Sequence, residues 1–289
     1  MDWKSLRDIP PWDWPEGTGA QLLRVIQDAG AAEEDRLLAA DLAGDFTVID
    51  DGIAAALLAL LRRPSESAAL RGQAAISLGP ALEYAETEGF EDPEEVPISE
   101  RTFRTAQETL LSLYRDAGVP KEVRRRVLEA SVRAPRQWHA DAVRASYMSG
   151  DPEWELTAVF CMRFIPGFDE QIVEALRSDD PFVRCEAVHA AGAWGVEAAW
   201  PHLARILREG APDKALLLAA VDAVVGVRPE EAEDLLAPLL DSPDEDVAEA
   251  AYEAVAMAEA LLGGGGEELE DEEEEDEEDD EGGGGGFLH

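Results

Sequence analysis

Cys185 and His189 stand four residues apart in the stretch DPFVRCEAVHAAGAWG, residues 180–195. On a helix that spacing puts a thiol and an imidazole on one face. Such a pair can begin a zinc site, which needs two further ligands. It can also supply an activated thiolate, which needs a basic neighbour and an open pocket. Neither completion is visible. Cys161 falls at a different position of its own repeat, and Arg163 and Arg184 adjoin the thiols in sequence only. A core thiol beside a surface or interfacial histidine is the plainer reading. The chain has no Gly-rich phosphate loop after a strand, no serine nucleophile elbow and no HExxH helix. The expectation is therefore no catalytic residue, no metal ligand and no cofactor.

Two sets of residues suit binding instead. Lys121, Arg124, Arg125, Arg126, Arg133 and Arg136 form a basic run in an acidic chain. Trp138, His139, Arg144 and Tyr147 lie on one helix, and Trp200, His202 and Arg205 lie on another of equivalent position. An aromatic with a polar tip can anchor a protein partner. A helix tryptophan can equally fill a gap between packed helices.

The elements that carry these residues repeat. Asp180 suits a helix N-cap and Pro181 the first helical position. Val183 is followed four residues later by Ala187. Matching pairs are Arg36/Ala40, Leu70/Ala74, Val123/Val127, Trp154/Ala158, Ala215/Ala219 and Val247/Ala251. They recur every 29 to 34 residues, with one step of 53. Six of the seven second members are Ala, small enough for a neighbouring helix to come close. Arg follows the anchor at Arg71, Arg124 and Arg184. A second apolar period follows each unit, as in Ala199, Leu203, Ile206 and Leu207. Two helices per unit in a stacked array make a solenoid, in which each unit buries its face on the next.

The pattern of Asp-Pro, Val-Arg, a small residue and a closing Gly resembles the HEAT repeats, including the short HEAT-like form of the phycobilisome lyases. The resemblance covers roughly residues 32–262 and extends to bacterial HEAT-repeat proteins with no assigned activity. Departures are Val127 in place of Ala, and Glu155, Leu216 and Ala248 where Arg is frequent. The resemblance implies an all-α solenoid of about seven two-helix repeats whose second helices line the concave face. It implies a non-enzymatic scaffold that holds a protein partner in that concavity, through Trp138, His139, Arg144, Tyr147, Trp200, His202 and Arg205. An enzyme or enzyme subunit of the HEAT-like group, lyase-like or nucleic-acid-acting, is the alternative.

Outside the repeats, residues 1–17 place Trp3, Trp12 and Trp14 among prolines, as an extended cap over the first helices or as an aromatic partner site. A long helix is expected over 66–85, then an acidic, solvated loop over 86–98. Residues 263–289 are Gly-flanked and carry 14 acids between Glu267 and Glu281, the composition of a disordered tail. That tail could itself act as a mimic or chaperone for a basic protein.

Net charge is −40, and without those 14 acids, 50 acidic residues still face 24 basic ones. Such a surface repels nucleic acid and anionic membrane, and favours a partner of basic character. Acidity of this size could also be adaptation to salt. Two cysteines, no N-terminal apolar core and no long apolar run suggest a cytoplasmic setting.

Overall fold

The computed structural model describes residues 3–92, 95–211 and 213–263. Among these residues there are α-helices and short 3-10 turns but no strand. In chain order the helices are α1 (Thr18–Gln27), α2 (Glu33–Leu42), α3 (Asp51–Leu61), α4 (Ala68–Ile76) and α5 (Gly79–Glu88). There follow α6 (Glu100–Arg115), α7 (Lys121–Ser131), α8 (Gln137–Tyr147), α9 (Pro152–Met162) and α10 (Asp169–Ala175). The last are α11 (Pro181–Ala193), α12 (Trp200–Glu209), α13 (Lys214–Val227), α14 (Pro229–Leu240) and α15 (Glu245–Gly263). The chain is an all-helical repeat solenoid.

The Asp residues that open units do so by capping. Asp151 Oδ1 accepts from the amides of Glu153 and Trp154, Asp180 Oδ1 from Phe182 at 2.8 Å, and Asp213 Oδ1 from Ala215 at 3.0 Å. Each satisfies an amide that the first turn leaves unpaired.

The anchor helices α2, α4, α7, α9, α11, α13 and α15 pack on one another in unbroken succession. Their small residues sit at the crossings. Ala40, Ala74, Val127, Ala158, Ala187, Ala219 and Ala251 are all buried, none more than 3% exposed. The tightest crossing joins α11 to α13. A Cβ on Gly192 would lie 2.6 Å from Ala223 Cα, and one on Gly226 only 2.2 Å from the carbonyl oxygen of Gly192. No side chain fits at either place. The other helices form a second layer whose members meet one another more sparingly.

The recurring arginine ties the layers together. Arg71 Nε donates to the carbonyl of Leu61 at 2.9 Å, and Arg124 Nε to that of Tyr114 at 2.8 Å. Arg184 Nη1 reaches the carbonyl of Ser178 at 2.7 Å. Arg71 and Arg124 thus satisfy a carbonyl at the end of the preceding helix, where the helix dipole is negative, and Arg184 satisfies one in the connection that follows α10. Arg36 does the same for Ile26 at 3.3 Å, across the ten-residue separation also seen for Arg71 and Arg124. Arg36 is therefore the arginine of the first unit and not its anchor. By that register the pair in the first unit is Asp35/Ala39, one residue earlier than the sequence alignment places it; Ala39 and Ala40 are both fully buried at the crossing.

Other differences have local causes. The helix expected over 66–85 breaks at Ser77–Leu78, before Gly79-Pro80, into α4 and α5. The loop after α5 is acidic but not simply solvated. Phe90 packs edge-on against Phe103 with centroids 5.4 Å apart, Val96 and Ile98 are buried, and the amide of Ser99 donates to Asp51 at 2.8 Å. The N-terminal segment takes 3-10 turns over Trp3–Asp8 and Pro11–Asp13 in place of an extended strap. Leu6 is buried, and Trp14 Nε1 donates to the carbonyls of Leu6 and Ile9, whereas Trp12 stands 77% exposed. The expected tail, residues 264–289, lies outside the described residues.

Overpacking a buried helix crossing costs about 1–3 kcal/mol. Gly226→Ala and Ala187→Leu should each lower the unfolding free energy by an amount in that range. Ala at the exposed position of Gly118, where only the tip of Asp116 is near, should cost much less. Equilibrium unfolding of the three variants checks the ranking.

Candidate functional site

The concave surface belongs to the anchor helices. A cleft of about 570 Å³ runs across α2, α4, α7, α9 and α11, and a single cavity can touch five successive units only on their common inner side. This corrects the expectation that second helices line the concavity. The physical reason is the small-residue ladder: the layer whose helices approach most closely is the shorter side of the curve.

The residues proposed on second helices consequently serve packing or stand apart. Trp138 lies 5.1 Å from the Tyr114 ring and stacks on His139 at 3.7 Å. His139 is 1% exposed. Its Nδ1 accepts from the amide of Arg136 at 2.9 Å, which leaves Nε2 to donate to Ser131 Oγ at 3.0 Å. Burial holds this imidazole neutral, with its pKa lowered to about 4. Tyr147 Oη donates to Glu174 at 2.9 Å, and Arg144 lies over the Phe168 ring. Trp200 carries Arg228 over its face at 5.0 Å. Only His202 and Arg205 share a cavity. The seven residues do not form one site.

The basic run is not an open patch either. Lys121 pairs with Asp151 and Glu153, Arg125 with Glu153, Arg126 with Glu129, Arg133 with Glu83 and Arg136 with Glu86, while Arg124 caps Tyr114. Every cation of the run already has an internal partner. The acids of α5 that pair with Arg133 and Arg136 are 50 residues distant in sequence, so the run alone did not reveal them.

Cys161 is fully buried and burial pushes its thiol well up, which removes it as a nucleophile. Cys185 is half-buried and likewise raised. Burial lowers the pKa of His189 on the same helix. No three His, Cys, Asp or Glu side chains among the described residues converge as metal ligands.

What the inner cleft does gather is a line of charge over apolar ground. Glu129 is buried, its Oε1 accepting from Thr157 Oγ1 at 2.6 Å and its Oε2 from Arg126. Thr157 in turn accepts from Arg125 Nε at 3.0 Å. Arg133 lies between the rings of Phe160 and Phe164 at 5.7 and 5.0 Å. Phe182 lines the same cleft and is 70% exposed. Glu186 is half-buried there and makes no hydrogen bond or ion pair with any described residue. Burial raises its carboxyl above the usual range. Glu129 adds to that, while Arg163 and Arg133 oppose it.

These residues occupy a fixed register that sequence could have supplied. Gln73/Ile76, Arg126/Glu129, Thr157/Phe160 and Glu186/His189 stand one before and two after the small residue of their helix. Reading those positions, rather than the second helices, names six of the cleft's 13 lining residues: Gln73, Ile76, Arg126, Glu129, Phe160 and Glu186.

No family model and no curated protein matches the chain. Solved structures similar to it include human deoxyhypusine hydroxylase in complex with glycerol, at 18% identity and a TM-score of 0.41, covering 86% of this chain and 87% of that one. An engineered protein is 17% identical with a TM-score of 0.42, covering 84% and 79%. A designed armadillo repeat protein in complex with the peptide (KR)4 is 17% identical with a TM-score of 0.33, covering 83% and 100%. At these values no activity or ligand passes from them to this chain. The expectation of a non-enzymatic scaffold is nonetheless corrected. An enzyme stands among the solenoids that resemble this one, so the architecture that pointed to an adaptor does not separate adaptors from enzymes.

His139 provides a pH test of the packing. Its folded pKa is depressed, so the stability it contributes is full above the unfolded value of about 6.5 and is lost as pH falls toward 4. Between pH 7 and 4.5 the parent should lose about 2–3 kcal/mol more than His139→Gln. Urea unfolding of both at the two pH values measures it; equal losses would remove the buried neutral imidazole.

Proposed function

We propose that the protein is an enzyme or enzyme subunit whose working face is the inner cleft, and that the cleft receives a ligand with a cationic group on an apolar stem. One observation carries this reading. Glu186 is a half-buried carboxyl with no hydrogen bond or ion pair to another side chain among the described residues, whereas the buried carboxylate on the same face, Glu129, is fully paired. An ammonium or guanidinium group would supply the missing hydrogen bonds. Leu156, Phe160 and Phe182 would cover the stem, and the two phenylalanine ring faces would attract the cation. A carboxyl raised by burial is also suited to exchange a proton with what it binds. The free thiols Cys161 and Cys185 fit a reducing compartment, and no helix among the described residues is long and apolar enough to cross a membrane.

The test compares host cells lacking the protein with cells that produce the parent, Glu186→Gln or Glu122→Gln, the last at an exposed acid on the cleft's rim. Mass profiling of basic peptides and small amines should show a product present with the parent and Glu122→Gln. That product should fall at least tenfold with Glu186→Gln at equal protein level. A profile indifferent to Glu186, or to the protein itself, would overturn the reading.

A further inference from the structure

A second cavity, of about 240 Å³, lies between α11, α12 and α13, away from the inner cleft. Its floor is apolar: Leu176, Val188 and Leu216 are all buried, with Ile206 beside them. Its opening is cationic. Arg184 and His202 are half-buried at the rim and Arg205 is exposed there. Arg177, at the end of α10, acts on the same imidazole, and burial together with Arg177 and Arg205 lowers the pKa of His202.

A cationic rim stands out in a chain whose acids outnumber its bases 64 to 24. The side chains of Arg177 and Arg205 make no hydrogen bond or ion pair with any described residue, so their donors are available. Arg184 uses Nη1 on the carbonyls of Ser178 and Asp179, which leaves donors of its fork free. The single carboxylate that lines the cavity, Glu209, is exposed. Two guanidiniums, Arg184 and Arg205, and the His202 imidazole at the opening of an apolar floor are complementary to an anion with an apolar tail.

We propose that this cavity binds a short straight-chain carboxylate, with its head at Arg184, Arg205 and His202, in the field of nearby Arg177, and its chain on the Val188 floor. Size sets the length. At roughly 30 Å³ for each water-sized atom, 240 Å³ holds about eight non-hydrogen atoms, which matches hexanoate. A planar carboxylate suits the guanidinium fork. A bare oxyanion would satisfy the rim and leave the floor uncovered. The proposal stands independently of the reading of the inner cleft.

Calorimetric titration of the full chain at physiological ionic strength, with hexanoate, butanoate, hexanol and inorganic phosphate as probes, tests it. Hexanoate should bind one to one. Butanoate should be weaker by about fourfold for each lost methylene, and hexanol and phosphate each at least tenfold weaker than hexanoate. Arg177→Ala with Arg205→Ala should cost hexanoate at least tenfold without changing the melting temperature, because both side chains are exposed. Arg101→Ala, on α6, should cost nothing. Saturating hexanoate should raise the midpoint of the His202 ring resonances in an NMR pH titration. Hexanol binding as tightly as hexanoate, hexanoate affinity indifferent to the paired arginine variant, or no heat at millimolar hexanoate would each overturn the proposal.

Discussion

The approach of neighbouring anchor helices to backbone contact is the constraint on which the rest depends. At Gly192 and Gly226 there is no space for even one carbon, and at the six Ala crossings and Val127 there is little more. Protein interiors are packed to crystal-like density, so a crossing built on small residues has a fixed distance. Because one layer is shortened and the other is not, the array must curve toward the short side. The inner cleft is a result of that curvature. So is its content, since the residues one before and two after each small residue are turned toward the open side.

The arginine staple fixes the second layer against the first. A helix end leaves carbonyls without donors, and a short connection offers few backbone amides to meet them. Arg36, Arg71, Arg124 and Arg184 reach back to those carbonyls from the following helix. Units that carry Glu155, Leu216 or Ala248 instead lack the staple. Arg36 shows how the structural role decides the alignment. Its ten-residue reach matches Arg71 and Arg124, whereas its apparent fit as an anchor came only from Ala40 standing four residues on.

Helix positions, caps and the packing register were legible because they are local or periodic. Asp180-Pro181 states a helix start in two residues, and Ala187 states a crossing by its size. The face of the solenoid was harder, because both helices of a unit have one apolar stripe and periodicity does not say which layer curves inward. The clue lay in the ladder itself, in its seven small residues. Residues chosen for chemical type alone fared worst. His139 is an imidazole enclosed by Ser131 and Trp138, and Trp138 is a wall of the core. Partners 50 residues away, Glu83 and Glu86, neutralise the end of the basic run through a contact that only the folded chain makes.

Charge pairing then separates structural ionic groups from available ones. In a chain this acidic an unpaired carboxylate on the surface is ordinary. Burial reverses the weighting for acids. Removing a carboxylate from water without a partner is costly, so Glu129 is held by Arg126 and Thr157. Glu186, in the same cleft, has no such support. Two groups of opposite sign lie in different cavities: a half-buried carboxyl, Glu186, on the inner face, and the guanidinium of Arg205 beside His202 at the mouth of the second cavity. Neither contributes to the crossings or to the staples, so their unmet hydrogen bonds are best matched by groups from outside the chain.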